Sequence, residues 1–304
     1  MPMDKFSYHF HPVEHCNMCH ASSQGQKILG KRLNQSQGKN PTKLKGITTT
    51  IVKCANCGLI FSNPMPVPEN IEQHYGLPPE DYWKPSYFEK NPYYFNVQIQ
   101  QLKKLKSIEP GMRSLDIGAG LGKAMIALQD AGFDSYGFEP SQPFYERALS
   151  KMNIPAEKLQ LASIETVNYE KDFFDFITFG AVLEHLYNPS DSIKKALTWL
   201  KPEGLIHLEI PSSRWLINKI ANIYYKLRCT DYVANISPMH LPFHLYEFDL
   251  NSFSKNALIN NYEISFFRYW NGNTFLPAFV NPIVNWMMSK TDSGMQLEIW
   301  LRKK

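Results

Sequence analysis

At 304 residues the chain has room for one large domain, or for a domain and a smaller module. A 43% hydrophobic and 20% charged composition is that of an ordinary globular protein, and nothing in it argues for disorder. The formal charge of +4 is spread without a long Lys/Arg block, which argues against nucleic acid as the partner. No stretch is apolar for long enough to span a bilayer, and the opening "MPMDKFSYHFHPVEH" lacks the apolar core of a secretory signal. A cytoplasmic location is the resulting expectation.

Residues 1–68 carry two cysteine pairs, Cys16 with Cys19 in "CNMC" and Cys54 with Cys57 in "CANCG". In a reducing compartment such pairs read as metal ligands before disulfides. Four thiolates close a tetrahedral zinc site with no open position, which is a structural site. The polar stretch and the β-rich "ITTTIVK" between the pairs predict a zinc ribbon-like module with a long loop. His15 and His20 flank the first pair and offer alternative ligands; four unconnected cysteines is the other reading. Cys229 stands alone and is expected in the core.

The Pro-rich "SNPMPVPEN" closes this module, and 69–110 form an aromatic connector with Tyr82, Trp83, Tyr87, Tyr93 and Tyr94, then a helix over "NVQIQQLKKLKSI". From residue 111 to 304 strand and helix patterns alternate. "RSLDIG", "DSYGFEP", "KLQLA", "FFDFITFG" and "LIHLEIPSS" read as strands with helices between them, which means βαβ units and a mostly parallel sheet. Residues 212–260 break the rhythm as an insertion rich in His, Pro and aromatics, before two last strands, "YEISFFRYW" and "GMQLEIWLRK", with a helix between them.

The stretch "SLDIGAGLGKAM" carries the chemistry. A βα turn that admits a ligand to the backbone excludes side chains, and "GAGLG" meets that need. A dinucleotide turn would put its third glycine at position 123, which is Lys. Asp116, two residues before Gly118, would repel a pyrophosphate and attract an ammonium. Glu139 ends the next strand, where a carboxylate accepts hydrogen bonds from a ribose. S-adenosylmethionine carries an ammonium, a sulfonium and a ribose in that order.

"LDIGAGLG", "GFEPS" and "FDFITFGAVLEHLYNPSDSIKKALTWLKPEGLIHLEIPS" together resemble the class I S-adenosylmethionine-dependent methyltransferases, over roughly Arg113 to Ser212. The resemblance implies an α/β Rossmann-like fold, a seven-stranded mostly parallel sheet with helices on both faces. It places Asp116, Gly118, Ala119 and Gly120 at the methionine end of the cofactor and Glu139 with Pro140 at the ribose. Ala162 and Ser163 would lie along the adenine edge, and Gly180 to Val182 beside the sulfonium. A cysteine module ahead of such a domain is similar to methyltransferases acting on nucleotide-linked sugars and related small metabolites, so the implied acceptor is a small molecule, a sugar or nucleotide-sugar. RNA or protein methylation with the zinc module as docking arm, and a non-catalytic cofactor-binding scaffold, are the alternatives. Oligomeric state is not legible.

Methyl transfer to oxygen or carbon also needs a base, and histidine is the natural one at neutral pH. Glu184 with His185 follows the fourth strand, at the edge where the cofactor binds; His240 and His244 lie in the insertion. Each has a structural alternative. Relatives with a Glu-His pair and a catalytic cation carry Glu at the position of Ala181, so metal is expected at the cysteines alone.

Overall fold

The computed structural model describes residues 7–69, 89, 91–272 and 274–304. Most of the aromatic connector, including Tyr82, Trp83 and Tyr87, lies outside the described residues.

The central sheet has seven strands: β6 (Arg113–Ile117), β7 (Asp134–Glu139), β8 (Leu159–Leu161), β9 (Phe174–Gly180), β10 (Leu200–Pro211), β12 (Tyr262–Trp270) and β13 (Gln296–Lys303). Their order is β12-β13-β10-β9-β6-β7-β8, and only β13 runs antiparallel to its neighbours. β6 and β9 are buried on both faces because helices cover both, the pattern of a central parallel strand. Helices α1 (Asn96–Leu105), α2 (Lys123–Asp130) and α3 (Gln142–Met152) cover one face; α1 packs Leu102 with Leu128, Phe176, Leu205 and Trp300. On the other face α4 (Pro189–Trp199) and α6 (Leu250–Asn260) bury Ile193, Leu197 and Phe253 against Ile177, Phe179 and Ile206. This is the expected α/β architecture. The chain leaves β6 for β7 and β8 on one side, then returns to β9 on the other, so the switch of strand order falls at the carboxyl ends of β6 and β9. Ligands bind open sheets there.

The N-terminal strands are β1 (Tyr8–His11), β2 (Lys27–Leu33), β3 (Thr48–Lys53), β4 (Ile60–Ser62) and β5 (Met65–Pro68). β1 pairs with β5, while β2, β3 and β4 form a second sheet completed by β11 (Tyr246–Glu247). Tyr246 pairs with Phe61 and Glu247 with Ile60, so residues 1–68 and the 212–260 insertion share one sheet. Cys16, Met18, Val52 and Phe61 also belong to the same apolar cluster as Leu115, Ile177 and Phe179. At the opposite edge β2 meets the insertion backbone: the Lys31 amide donates to Asp231 O at 2.8 Å. A Cβ at Gly30 would stand 2.3 Å from that same carbonyl oxygen, which is why glycine occupies the place.

The insertion carries α5 (Leu216–Leu227), and α7 (Asn281–Lys290) lies between β12 and β13. Cys229 corrects the sequence expectation of a core thiol. It follows the end of α5 in a left-handed turn (φ 54°), where the chain swings away from the core, and it is exposed.

Phe61 is fully buried, with its ring centroid 6.5 Å from that of Tyr246. Phe61→Ala is expected to remove about 3–5 kcal/mol of stability, the cost of a truncated core aromatic. Calorimetry should register the loss in one cooperative transition of the whole chain. Separate melting of the N-terminal strands would show that the shared sheet does not couple them.

Candidate active site

β6 ends in a turn where Gly118, Gly120 and Gly122 all take positive φ (67°, 55° and 73°) before α2 begins at Lys123. A Cβ at Gly118 would come within 2.6 Å of Val182 Cγ2, so the turn after β6 and the segment after β9 touch through a missing side chain. Asp116 is buried and its side chain takes no hydrogen bond among the described residues. Burial pushes its carboxyl up to about 8, and the charge of Glu139 adds to the rise. Glu139 is raised to about 7, burial outweighing two backbone donors. Those donors are the amides of Gly120 to Oε2 and Ser141 to Oε1, each at 2.8 Å. Glu139 therefore holds the glycine turn as well as facing the site, and each of its oxygens keeps a second lone pair for a ligand hydroxyl.

S-adenosylmethionine fits this set. Two buried, mutually repelling carboxyls favour a cationic ligand between them, and the glycine turn lets it approach the backbone. Pro140 follows Glu139; Ala162 follows β8 and donates its amide to Glu139 O at 3.2 Å, with Ser163 next in the chain. Ala119 is buried within the turn, and Gly180 and Val182 close the opposite side. All the residues expected to line the cofactor thus gather at one edge of the sheet.

Beyond Val182 a short 3-10 turn, Leu183–His185, presents Glu184 and His185. The insertion folds back on it: the Leu245 amide donates to Glu184 O at 2.9 Å, and His185 Nδ1 donates to Phe243 O at 3.2 Å. His244 is thereby brought to Glu184, with Nε2 3.8 Å from Oε1, and its ring meets that of His185 edge-on at 5.0 Å. Glu184 Oε2 is buried with no hydrogen-bond partner among the described residues. One donor atom from each of the three residues lies within 4.8 Å of the others. Burial pushes Glu184 up to about 8 and His185 and His244 down to about 4 and about 3, so each favours its uncharged form near neutrality. A neutral imidazole next to a carboxyl can accept a proton and have the new charge balanced.

His240 stands differently. Arg32 Nη2 donates to its Nε2 at 3.1 Å, and its Nδ1 donates to Leu241 O at 2.8 Å, so both ring nitrogens are engaged. Sequence reasoning missed Arg32, a buried cation on β2 that reaches into the insertion. Residues separated by more than 200 positions leave no local signal of such a pairing. A groove of about 270 Å³ opens beside the 3-10 turn, lined among others by His11, Asn17, Tyr187, Asn188 and Tyr246.

The four cysteines converge. Cys16 Sγ lies 3.6 Å from Cys57 Sγ and Cys19 Sγ 3.7 Å from Cys54 Sγ, and all four sulfurs fall within 4.8 Å of one another. Zinc–sulfur bonds of about 2.3 Å in a tetrahedron give sulfur–sulfur edges near 3.8 Å, so the cluster has the dimensions to hold a metal. His15 and His20 are not part of it. Each pair turns on a left-handed residue just after its second cysteine, His20 (φ 55°) and Gly58 (φ 80°). The turns dock on the segment after His185 and on α6: Asn17 Nδ2 donates to Tyr187 O at 2.8 Å, Ser252 Oγ to Cys57 O at 3.0 Å, and Asn256 Nδ2 to Met18 O at 2.8 Å.

A glycine turn between buried carboxyls at the switch point, with an acid–histidine pair beside it, defines an α/β enzyme that works on a nucleoside-bearing cofactor. Over residues 88–258, more than half of its length, the sequence matches the family described as a methyltransferase domain, and the chain belongs to that family. It carries a methyltransferase domain with a site whose residues fit S-adenosylmethionine.

Among curated proteins it is similar to an uncharacterized 37.1 kDa protein in transposon TN4556 of Streptomyces fradiae, 30% identical over 34% of this chain and 31% of that one. It is also similar to the ubiquinone biosynthesis O-methyltransferase of Coxiella burnetii, 26% identical over 52% of this chain and 67% of that one. The match thus spans about a third of the first relative's length. Similar solved structures include a methyltransferase from Mesorhizobium loti (12% identity, 71% of this chain and 100% of that one, TM-score 0.48). Another is from Listeria monocytogenes (16% identity, 67% and 96%, TM-score 0.48).

With Asp116 raised to about 8, cofactor affinity measured by calorimetry is expected to increase as pH climbs towards 8 and the carboxylate forms. Asp116→Asn should weaken binding and flatten that dependence; an unchanged pH profile in the variant would remove Asp116 from the site.

Proposed function

We propose that this methyltransferase acts on a small-molecule acceptor, a sugar or nucleotide-sugar, and that His244 takes the acceptor's proton with Glu184 balancing the charge. The observation that carries the reading is the buried Glu184–His244 pair at 3.8 Å, held by a turn whose first contact, Val182, touches the cofactor turn at Gly118. When bound, S-adenosylmethionine supplies an electrophilic methyl group on a sulfonium. Asp116 and Glu139 fix the two ends of that cofactor, which sets the direction from which the acceptor must approach. His185, tied to Phe243 O, positions the ring of His244; His240, tied to Arg32, holds the insertion in place over the site. The groove beside the turn supports the acceptor class. The half-buried Tyr187 ring offers a face for a sugar, and the imidazole of His11 and the amides of Asn17 and Asn188 offer polar partners for hydroxyls.

The four thiolates are proposed to hold a structural zinc ion. The division that follows is a zinc module over 1–68, a connector over 69–110 and a methyltransferase domain over 111–304 with 212–260 as the acceptor-covering insertion. Docking of both cysteine turns against Tyr187 and α6 gives the metal its purpose here: it stiffens the floor on which the Glu184 turn rests.

Transfer of label from isotopically marked cofactor to a panel of nucleotide-sugars is expected to yield a methylated product and S-adenosylhomocysteine. With such an acceptor, His244→Asn and Glu184→Gln should each lower kcat by about 10²–10⁴ while cofactor affinity is retained. At saturating cofactor, which removes the contribution of Asp116 to binding, wild-type kcat/KM for the acceptor should rise with pH towards 8 as Glu184 ionises, and Glu184→Gln should lose that limb. Full activity of both variants would rule out the pair as the base. Protein purified without added metal should contain about one zinc per chain, and Cys54→Ser should release it and lower the melting temperature.

A further inference from the structure

Two segments outside the active site share an unusual chemistry. No Asp or Glu occurs between Glu209 and Asp231, the stretch that holds α5, nor between Glu263 and Asp292, the stretch that holds α7. On α5, Ile223 and Leu227 are 60% and 78% exposed. On and before α7, Phe279, Ile283 and Trp286 are 83%, 63% and 63% exposed. A folded chain seldom leaves so many large apolar side chains in water without using them.

The two segments adjoin. Trp215 packs its ring 6.4 Å from that of Phe275, and the Leu216 amide at the start of α5 donates to Ser293 O just past α7, at 3.0 Å. Cations border the apolar residues: Lys219 and Lys226 on α5, Arg228 just past its end and Lys290 on α7 are all exposed and form no ion pair among the described residues. Helices that carry exposed Trp, Phe and Leu beside unpaired Lys and Arg lie in the plane of a lipid interface, with apolar side chains among the acyl chains and cations at the headgroups.

We infer that α5 and α7 together form a docking face for an anionic lipid surface. Charge selects this occupant over a second copy of the chain, because a two-fold contact would set like cations against each other. The acceptor-covering insertion begins on this same face, at Ser212, so docking would hold the site's cover close to the bilayer. No helix among the described residues is long and apolar enough to cross a membrane, and the contact is peripheral.

Sedimentation of the full chain with vesicles tests this. It should pellet with phosphatidylglycerol–phosphatidylcholine vesicles and stay in solution with phosphatidylcholine alone. Leu227→Glu combined with Trp286→Glu should reduce partitioning on the order of tenfold or more, with an unchanged far-ultraviolet spectrum. Lys226→Gln with Arg228→Gln, which alters charge only and leaves Lys219 and Lys290 in place, should cost roughly tenfold and weaken the salt dependence. Failure to pellet, equal pelleting with both vesicle types, or vesicle binding unaffected by either pair would overturn the assignment. A dimer in solution that dissolves on Leu227→Glu with Trp286→Glu would instead give this face to a second copy.

Discussion

One main-chain hydrogen bond, from the Leu245 amide to the Glu184 carbonyl, fixes the geometry on which the site depends. It joins a turn that follows β9 to a segment that arrives from the far side of the insertion. The next two residues, Tyr246 and Glu247, pair with Phe61 and Ile60 of β4. A two-residue strand thus has the central sheet at one end of its reach and the N-terminal strands at the other. Glu247 makes the joint rigid. Its buried carboxylate accepts from Asn218 at 2.9 Å, Asn235 at 2.6 Å and the Ile236 amide at 2.9 Å, gathering two parts of the insertion on one group.

Buried carboxyls recur in this molecule, and they sort by what surrounds them. Glu298, fully buried, is saturated by Arg268, Trp270 and Trp300 and serves the sheet. Glu247 is saturated by amides and serves the insertion. Among the described residues Asp116 has no such donors, and Glu184 keeps one oxygen unpartnered. An unsatisfied buried carboxyl is costly to a fold, and the two that stand out here both lie at the carboxyl edge of the sheet. The same contrast separates the two insertion histidines, since His240 has both nitrogens engaged while His244 faces an acid.

The parts legible in the sequence are those written in short spacings. Alternating apolar strands, the "GAGLG" turn after Asp116 and the doubled Cys-x-x-Cys each encode their geometry within a few residues, and the structure places them as that spacing dictates. Long-range partnerships were not legible. Arg32 and His240 meet across most of the chain, and β11 is too short to carry a strand pattern. Glu298 in "GMQLEIWLRK" looks like a solvent-facing residue until Arg268 and two tryptophans are seen around it. Cys229 was misplaced because a lone cysteine is usually buried, and nothing in "KLRCT" signals the left-handed turn that exposes it.

With the acceptor-covering role proposed for the insertion, the shared sheet has a consequence for how acceptor preference would be exchanged between related enzymes. A graft of the insertion alone would arrive without the β-strand neighbour that its own edge is built to meet, leaving main-chain donors and acceptors stranded at β4. The portable unit is discontinuous, the N-terminal strands and the insertion together, with the cofactor-binding core as the chassis that remains. Swaps designed on linear boundaries would divide that unit across its seam.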